Sequence, residues 1–98
     1  MGKRIWTILM VLCLFSFVLS GCYYFAARDE MKSAKKLINE LKGQGGVTLV
    51  PYEYTSAEKF LEISKMEFNE NDFKTAKGFA TRSKSAASAG LAEVKKKK

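Results

Sequence analysis

Phe73-Lys74-Thr75-Ala76-Lys77-Gly78-Phe79-Ala80-Thr81-Arg82-Ser83-Lys84-Ser85-Ala86-Ala87-Ser88-Ala89-Gly90-Leu91-Ala92-Glu93-Val94 is the stretch that decides the fold. Phe73, Ala76, Ala80, Ser83, Ala87, Gly90 and Val94 recur at alternating steps of three and four, with Phe79 and Ala86 alongside. That spacing puts them on one face of an α-helix. Most of them are small, so a second helix can approach this face closely. Just upstream, Asn69-Glu70-Asn71-Asp72 breaks any helix, and Asp72 is suited to cap the next one.

Before that turn the pattern predicts a helix over 55–70. Thr55-Ser56-Ala57-Glu58 fits a capping box, and Ala57, Phe60, Leu61, Ser64 and Phe68 form its inner face. A short turn makes this helix and the one over 72–94 an antiparallel hairpin. Charge separates between them: residues 53–72 carry six acids and two lysines, while residues 73–98 carry eight bases and Glu93. Opposite charge is expected to favour this pairing over wrong ones. Further back, Val47-Thr48-Leu49-Val50-Pro51-Tyr52-Glu53-Tyr54 reads as an extended connector, because Pro51 and the lack of a second strand argue against a sheet. An amphipathic helix is expected over about 25–42, with Ala27, Met31, Ala34, Ile38 and Leu41 on its apolar stripe. Gly43-Gln44-Gly45-Gly46 ends it, with a glycine just past the stripe as left-handed cap. The expected class is all-α: three helices after an N-terminal signal helix.

The N-terminus sets the compartment. Lys3 and Arg4 precede an apolar run from Ile5 to Leu19, the layout of a secretory signal. Leu19-Ser20-Gly21-Cys22 then resembles the lipobox of bacterial lipoproteins: small residues admit the backbone to a narrow protease site, and the cysteine sulfur takes a diacylglycerol. Residues 1–21 are thus expected to be a signal peptide and 22–98 the mature chain, with Cys22 carrying diacylglycerol and an N-acyl group. The alternative is an uncleaved single-pass anchor, since Ile5 to Ala27 contains no charge. Either way residues 28–98 face the envelope, which makes nucleic acid an unsuitable partner despite a net charge of +7. Tyr23 after the cysteine, where enterobacterial lipoproteins kept in the inner membrane have aspartate, implies sorting to the periplasmic face of the outer membrane.

The residue inventory argues against catalysis. The chain has no histidine, and its two cysteines are Cys13, lost with the signal, and Cys22, used by acylation. Zinc or copper ligation and base-assisted nucleophiles are therefore not expected, nor is any metal or cofactor beyond the lipid. Glu58, Glu62, Glu70 and Asp72 read as a solvated, salt-bridged face. Gly43-Gln44-Gly45-Gly46 lacks the lysine of a phosphate loop. Binding is left to Tyr52 and Tyr54 at the head of the second helix, to Phe60, and to Lys95, Lys96, Lys97 and Lys98. The lysines read chiefly as a solvated tail, and otherwise as a contact for anionic headgroups or cell wall.

Two further resemblances bear on this reading. Residues 57–90 are similar in length to one tetratricopeptide repeat, with Ala76 at its small position, Phe60 at its aromatic position and Asp72-Phe73 in its turn; Glu67 and Ser83 depart from it. The order Cys22, helix, glycine break, Pro51-Tyr52-Glu53-Tyr54-x-x-Ala57, then Asp72-Phe73-x-x-Ala76-x-x-x-Ala80 resembles a family of small alanine-rich, tetratricopeptide-like bacterial lipoproteins of unknown function. Its members occur alone or ahead of an OmpA-like, peptidoglycan-binding domain, which this sequence lacks. The resemblance implies a lipid-anchored helical module that pairs with an envelope protein. Braun-type lipoproteins are similar in their acylated cysteine, helical body and C-terminal lysine, which implies the rival role of a tether from membrane to peptidoglycan through Lys98.

Overall fold

The computed structural model describes the backbone of residues 2–98 and the side chains of residues 2–15 and 22–98. The described chain is all-helical: α1 (Gly2–Gly43), a single turn α2 (Gly46–Leu49), α3 (Pro51–Asn69) and α4 (Phe73–Lys97). The expected elements differ from these in four places. The signal segment and the helix over 25–42 form one continuous helix, because no glycine, proline or turn former with φ above zero interrupts them. The connector contains a helical turn, and only Val50 (φ −137°, ψ 62°) departs from helix at its end. Helix α3 starts at Pro51, so the capping box at Thr55-Glu58 lies inside a helix already under way. Proline at the first helical position loses nothing, since its missing N–H has no partner there in any helix. Finally, α4 runs on through Lys95 and Lys96 to Lys97, where the bases complement the negative end of the helix dipole.

Both turns are made by left-handed residues. Gly45 takes φ 86°, while Gly43 is still helical, so the cap falls two residues later than the apolar stripe suggested. Between α3 and α4, Asn71 takes φ 65°; its N–H donates to Phe68 O at 3.0 Å, and the Asp72 N–H donates to Glu67 O at 2.9 Å. These two bonds are the Schellman closure with asparagine in glycine's usual place. The Asp72 carboxylate then accepts from the Thr75 N–H at 3.2 Å, which caps α4 as its sequence indicates.

Helix α4 is the centre of the body. It packs against α1 on one side and α3 on the other, while α1 and α3 touch less. Against α1 it runs parallel: Tyr24 meets Phe73 and Leu41 meets Gly90, an equal separation in sequence. Against α3 it runs antiparallel, held by two reciprocal bonds. Ser64 Oγ donates to Ala76 O and Ser83 Oγ donates to Ala57 O, each at 2.6 Å and buried. The bonded pairs lie two turns apart on both helices, so one register satisfies both. The small stripe explains this geometry: Ala76, Ala80 and Ala87 are fully buried, and a hydroxyl reaches a backbone carbonyl only where helices come this close.

That closeness keeps the charges of the two helices apart. No ion pair links α3 to α4 among the described residues. Alanine and serine fill the seam, and the charged side chains point outward from it. The interhelical pair instead joins α4 to α1, with Lys84 Nζ 3.4 Å from Glu30 Oε1 and Thr81 donating to Glu30 Oε2 at 3.1 Å. At half-exposed positions such a pair is worth about 0–1 kcal/mol.

The apolar N-terminal part of α1 takes no share in this core. Trp6 is 72 % exposed, and Ile5, Ile8, Leu9, Met10, Val11, Leu12, Leu14 and Phe15 are all exposed. Among the described residues the first buried one is Ala27. The described molecule is accordingly a rod of 71 × 20 × 15 Å, with an apolar projection at one end.

Candidate functional site

Cys22 lies on α1 between the apolar projection and the packed body, and it is exposed and unpaired. The remaining lipobox residues, Leu19, Ser20 and Gly21, lie outside the described side chains. Immediately beyond Cys22 the bundle is closed by rings. Tyr24 sits 5.2 Å from Phe68 and 5.1 Å from Phe73, and Phe68 sits 5.0 Å from Phe73, all centroid to centroid. Tyr24 is thereby the residue that brings the α3–α4 turn to the Cys22 end. Phe25 stays 63 % exposed beside them, and Lys77 Nζ lies 5.9 Å from the Tyr23 ring.

The two tyrosines that flank Glu53 part company. Tyr54 turns inward, packing on both core clusters, and its hydroxyl donates to Glu58 Oε1 at 2.6 Å. It pads the start of α3 and is half-buried there. Tyr52 turns outward and is 79 % exposed. It lines a groove of about 510 Å³ along the outer face of α3, together with Pro51, Thr55, Ser56, Phe60 and Ile63. Two of the three aromatic residues singled out in the sequence therefore share one surface. The third, Tyr54, packs half-buried against the core clusters. The spacing carries the signal: residues 52, 56, 59, 60 and 63 follow helical steps, but this shows only once α3 is known to begin at Pro51.

Phe60 serves both sides. It half-buries against Phe79 of α4, ring centroids 6.2 Å apart, and Arg82 lies 5.3 Å from the Phe79 ring. The groove floor is thus fixed by α4, so an exposed apolar surface rests on a rigid support. No other segment of the described chain covers it.

No family model, curated protein or solved structure matches the chain.

The lysines occupy the other end of the rod. Lys97 Nζ donates to Leu49 O at 2.8 Å, which ties the end of α4 to α2, and Lys96 pairs with Glu93 at 3.5 Å. From Cys22 to Gly43 a helix rises about 30 Å at 1.5 Å per residue. The basic tail is therefore a full bundle length from the cysteine. Among the described residues no helix is long and apolar enough to cross a membrane.

Proposed function

We propose that the chain is an envelope lipoprotein, anchored by acylated Cys22 at the periplasmic face of the outer membrane, whose helical body acts as a non-catalytic protein-interaction module. The observation that carries the reading is the open groove on α3, where Tyr52 and Phe60 lie together on a floor braced by Phe79. A tetratricopeptide-like hairpin and kinship with the small alanine-rich lipoproteins belong to the same proposal. Their support is the α3–α4 seam, in which Ala57, Ala76 and Ala80 are fully buried and Ser64 binds across to Ala76 O. The anchor is supported by the position of Cys22: removing residues 1–21 takes no buried residue from the described body.

Two measurements test the reading. Intact mass of the membrane-extracted protein should equal residues 22–98 plus diacylglycerol and an N-acyl chain; an unmodified full-length mass refutes the anchor. Pull-down from cross-linked membranes should enrich one envelope protein and lose it in Tyr52→Ala, a change at an exposed residue that leaves the core intact. Equal recovery with the variant refutes the groove. The tether to peptidoglycan stands as the second reading, because the lysine tail sits at the end away from Cys22. Muramidase digests of sacculi containing no Lys98-linked muropeptide dispose of it.

A further inference from the structure

A second groove runs between α1 and α3 on the Cys22 side of the body and encloses about 240 Å³. Its floor is apolar, made by Tyr24, Met31 and Phe68, each half-buried. Its rim is cationic throughout: Arg28, Lys32 and Lys35 from α1 and Lys65 from α3, all exposed. No acid lines it, and none of the four bases enters an ion pair among the described residues. Glu58 and Glu62 stand on the far side of Lys35 and Lys65, in a neighbouring groove. Arg28 and Lys32 border neither of those acids, and Asp29, between them in sequence, lines neither groove and forms no ion pair with them.

An apolar floor under an unneutralised cationic rim matches a molecule with a phosphate at one end and hydrocarbon at the other. We infer that this groove holds an anionic phospholipid of the membrane in which the chain is anchored. The phosphate lies against Arg28 and Lys32, and the glycerol and upper acyl carbons lie over Tyr24, Met31 and Phe68. The choice of a lipid over a soluble anion rests on the proposed acylation of Cys22. Tyr24 is two residues from Cys22 and Arg28 less than two turns farther, so the groove opens within about 10 Å of the anchor point. Arginine suits this role because its fork binds phosphate oxygens in pairs.

The groove also orients the body. At about 100° per residue, Lys65 and Phe68 leave α3 on nearly the opposite side from Tyr52, Ser56 and Lys59. A body seated on lipid through the basic groove turns the Tyr52–Phe60 groove away from the membrane.

The test uses the full chain in neutral detergent micelles, titrated with dihexanoyl phosphatidylglycerol, dihexanoyl phosphatidylcholine or inorganic phosphate and followed by NMR. Phosphatidylglycerol is expected to bind saturably and about tenfold more tightly than phosphatidylcholine, with shifts centred on Tyr24 and Phe68. Arg28→Glu with Lys32→Glu should abolish that preference, while Lys95→Glu with Lys98→Glu should leave it unchanged. Both variants alter exposed residues, and circular dichroism verifies that the helices persist. Equal affinity for the two lipids overturns the proposal, as does a preference that survives the double variant. Displacement by inorganic phosphate at the same concentration as the lipid overturns it too, because the apolar floor would then contribute nothing. None of these outcomes depends on the state of Cys22, which the intact mass measures separately.

Discussion

The two ends of the bundle are closed by opposite means. At the Cys22 end Tyr24, Phe68 and Phe73 meet ring against ring and remain half-exposed. At the lysine end Leu41, Val50 and Val94 are buried to 2 % exposure or less, and two glycines make the room they need. A methyl group on Gly46 would stand 2.5 Å from Leu41 Cγ and 2.8 Å from its carbonyl oxygen; one on Gly90 would stand 2.8 Å from Leu41 Cδ2. Large rings can slide over one another and tolerate a change of neighbour. A leucine locked between two glycine backbones cannot. The difference locates the rigid part of the molecule far from Cys22 and the adaptable part beside it.

The largest effect is expected from Leu41→Ala. The side chain is fully buried and touches α2 and α4, so its loss opens a cavity that the closely approached backbone cannot refill. Chemical denaturation should show a loss of about 2–5 kcal/mol. Tyr24→Leu at the other end removes three ring contacts, to Phe25, Phe68 and Phe73, but keeps an apolar filling. The rings are half-exposed or exposed, so each pair falls toward the low end of about 0.5–1.5 kcal/mol, and leucine restores part of the contact; the loss should be smaller than for Leu41→Ala. Equal losses at the two ends would erase the comparison.

Glycine-to-alanine changes within α4 sharpen it, because the same substitution should act with opposite sign. Gly78 is exposed in mid-helix and an added methyl meets nothing within 4 Å. Alanine there should stabilise by about 0.5–1 kcal/mol, the ordinary helix preference. Gly90 has the same preference to gain, but its methyl must displace Leu41, which is fully buried, and press on Glu53 Cβ at 3.2 Å. Overpacking of about 1–3 kcal/mol outweighs the gain, so Gly90→Ala should lower the thermal midpoint while Gly78→Ala raises it.

These contrasts also explain what the sequence discloses. The face of α4, from Ala76 through Ala80, Ser83, Ala87 and Gly90 to Val94, is legible because alternating steps of three and four have one geometric meaning, and every one of those residues is buried. Asp72 is legible as a cap because its chemistry is local. The start of α3 is not, since two rules compete: Thr55-Glu58 offers a capping box, but Pro51 opens a helix at no cost and its N–H is not missed. The role of Ser64 and Ser83 is hidden as well. A serine on an inner face carries no mark of the carbonyl across the seam until the register is known. The Tyr52–Phe60 groove is half legible, and the cationic groove needs both α1 and α3 in place before its seven residues assemble.

The serines give the next smaller effect. Each hydroxyl is buried and donates to a carbonyl inside the opposite helix, which already has its own helical N–H. Removing the donor leaves no orphaned group. Ser64→Ala and Ser83→Ala should each cost about 0.5–1.5 kcal/mol by chemical denaturation. The two bonds share one register, so the double variant should lose more than either alone without loss of helix by circular dichroism.

The smallest effect belongs to Tyr54, which packs on both core clusters and so touches the middle and the far end together. The hydrogen bond it donates to Glu58 holds its phenol above the ordinary value of 10.0, with burial and the carboxylate's charge acting in the same direction. The folded state thus keeps the proton more tightly than the unfolded chain does. Its contribution is fully present below the unfolded value and is lost as pH rises through the higher folded one. Tyr54→Phe keeps the ring and removes the titrating group. The stability gap between the two proteins, measured by urea midpoint at matched pH, should therefore be constant up to about pH 9 and shrink above about pH 10. Lysine titration in that range affects both proteins alike and cancels in the difference. A gap that widens with pH would mean that the phenolate is the form the fold prefers, and that Glu58 is not its partner.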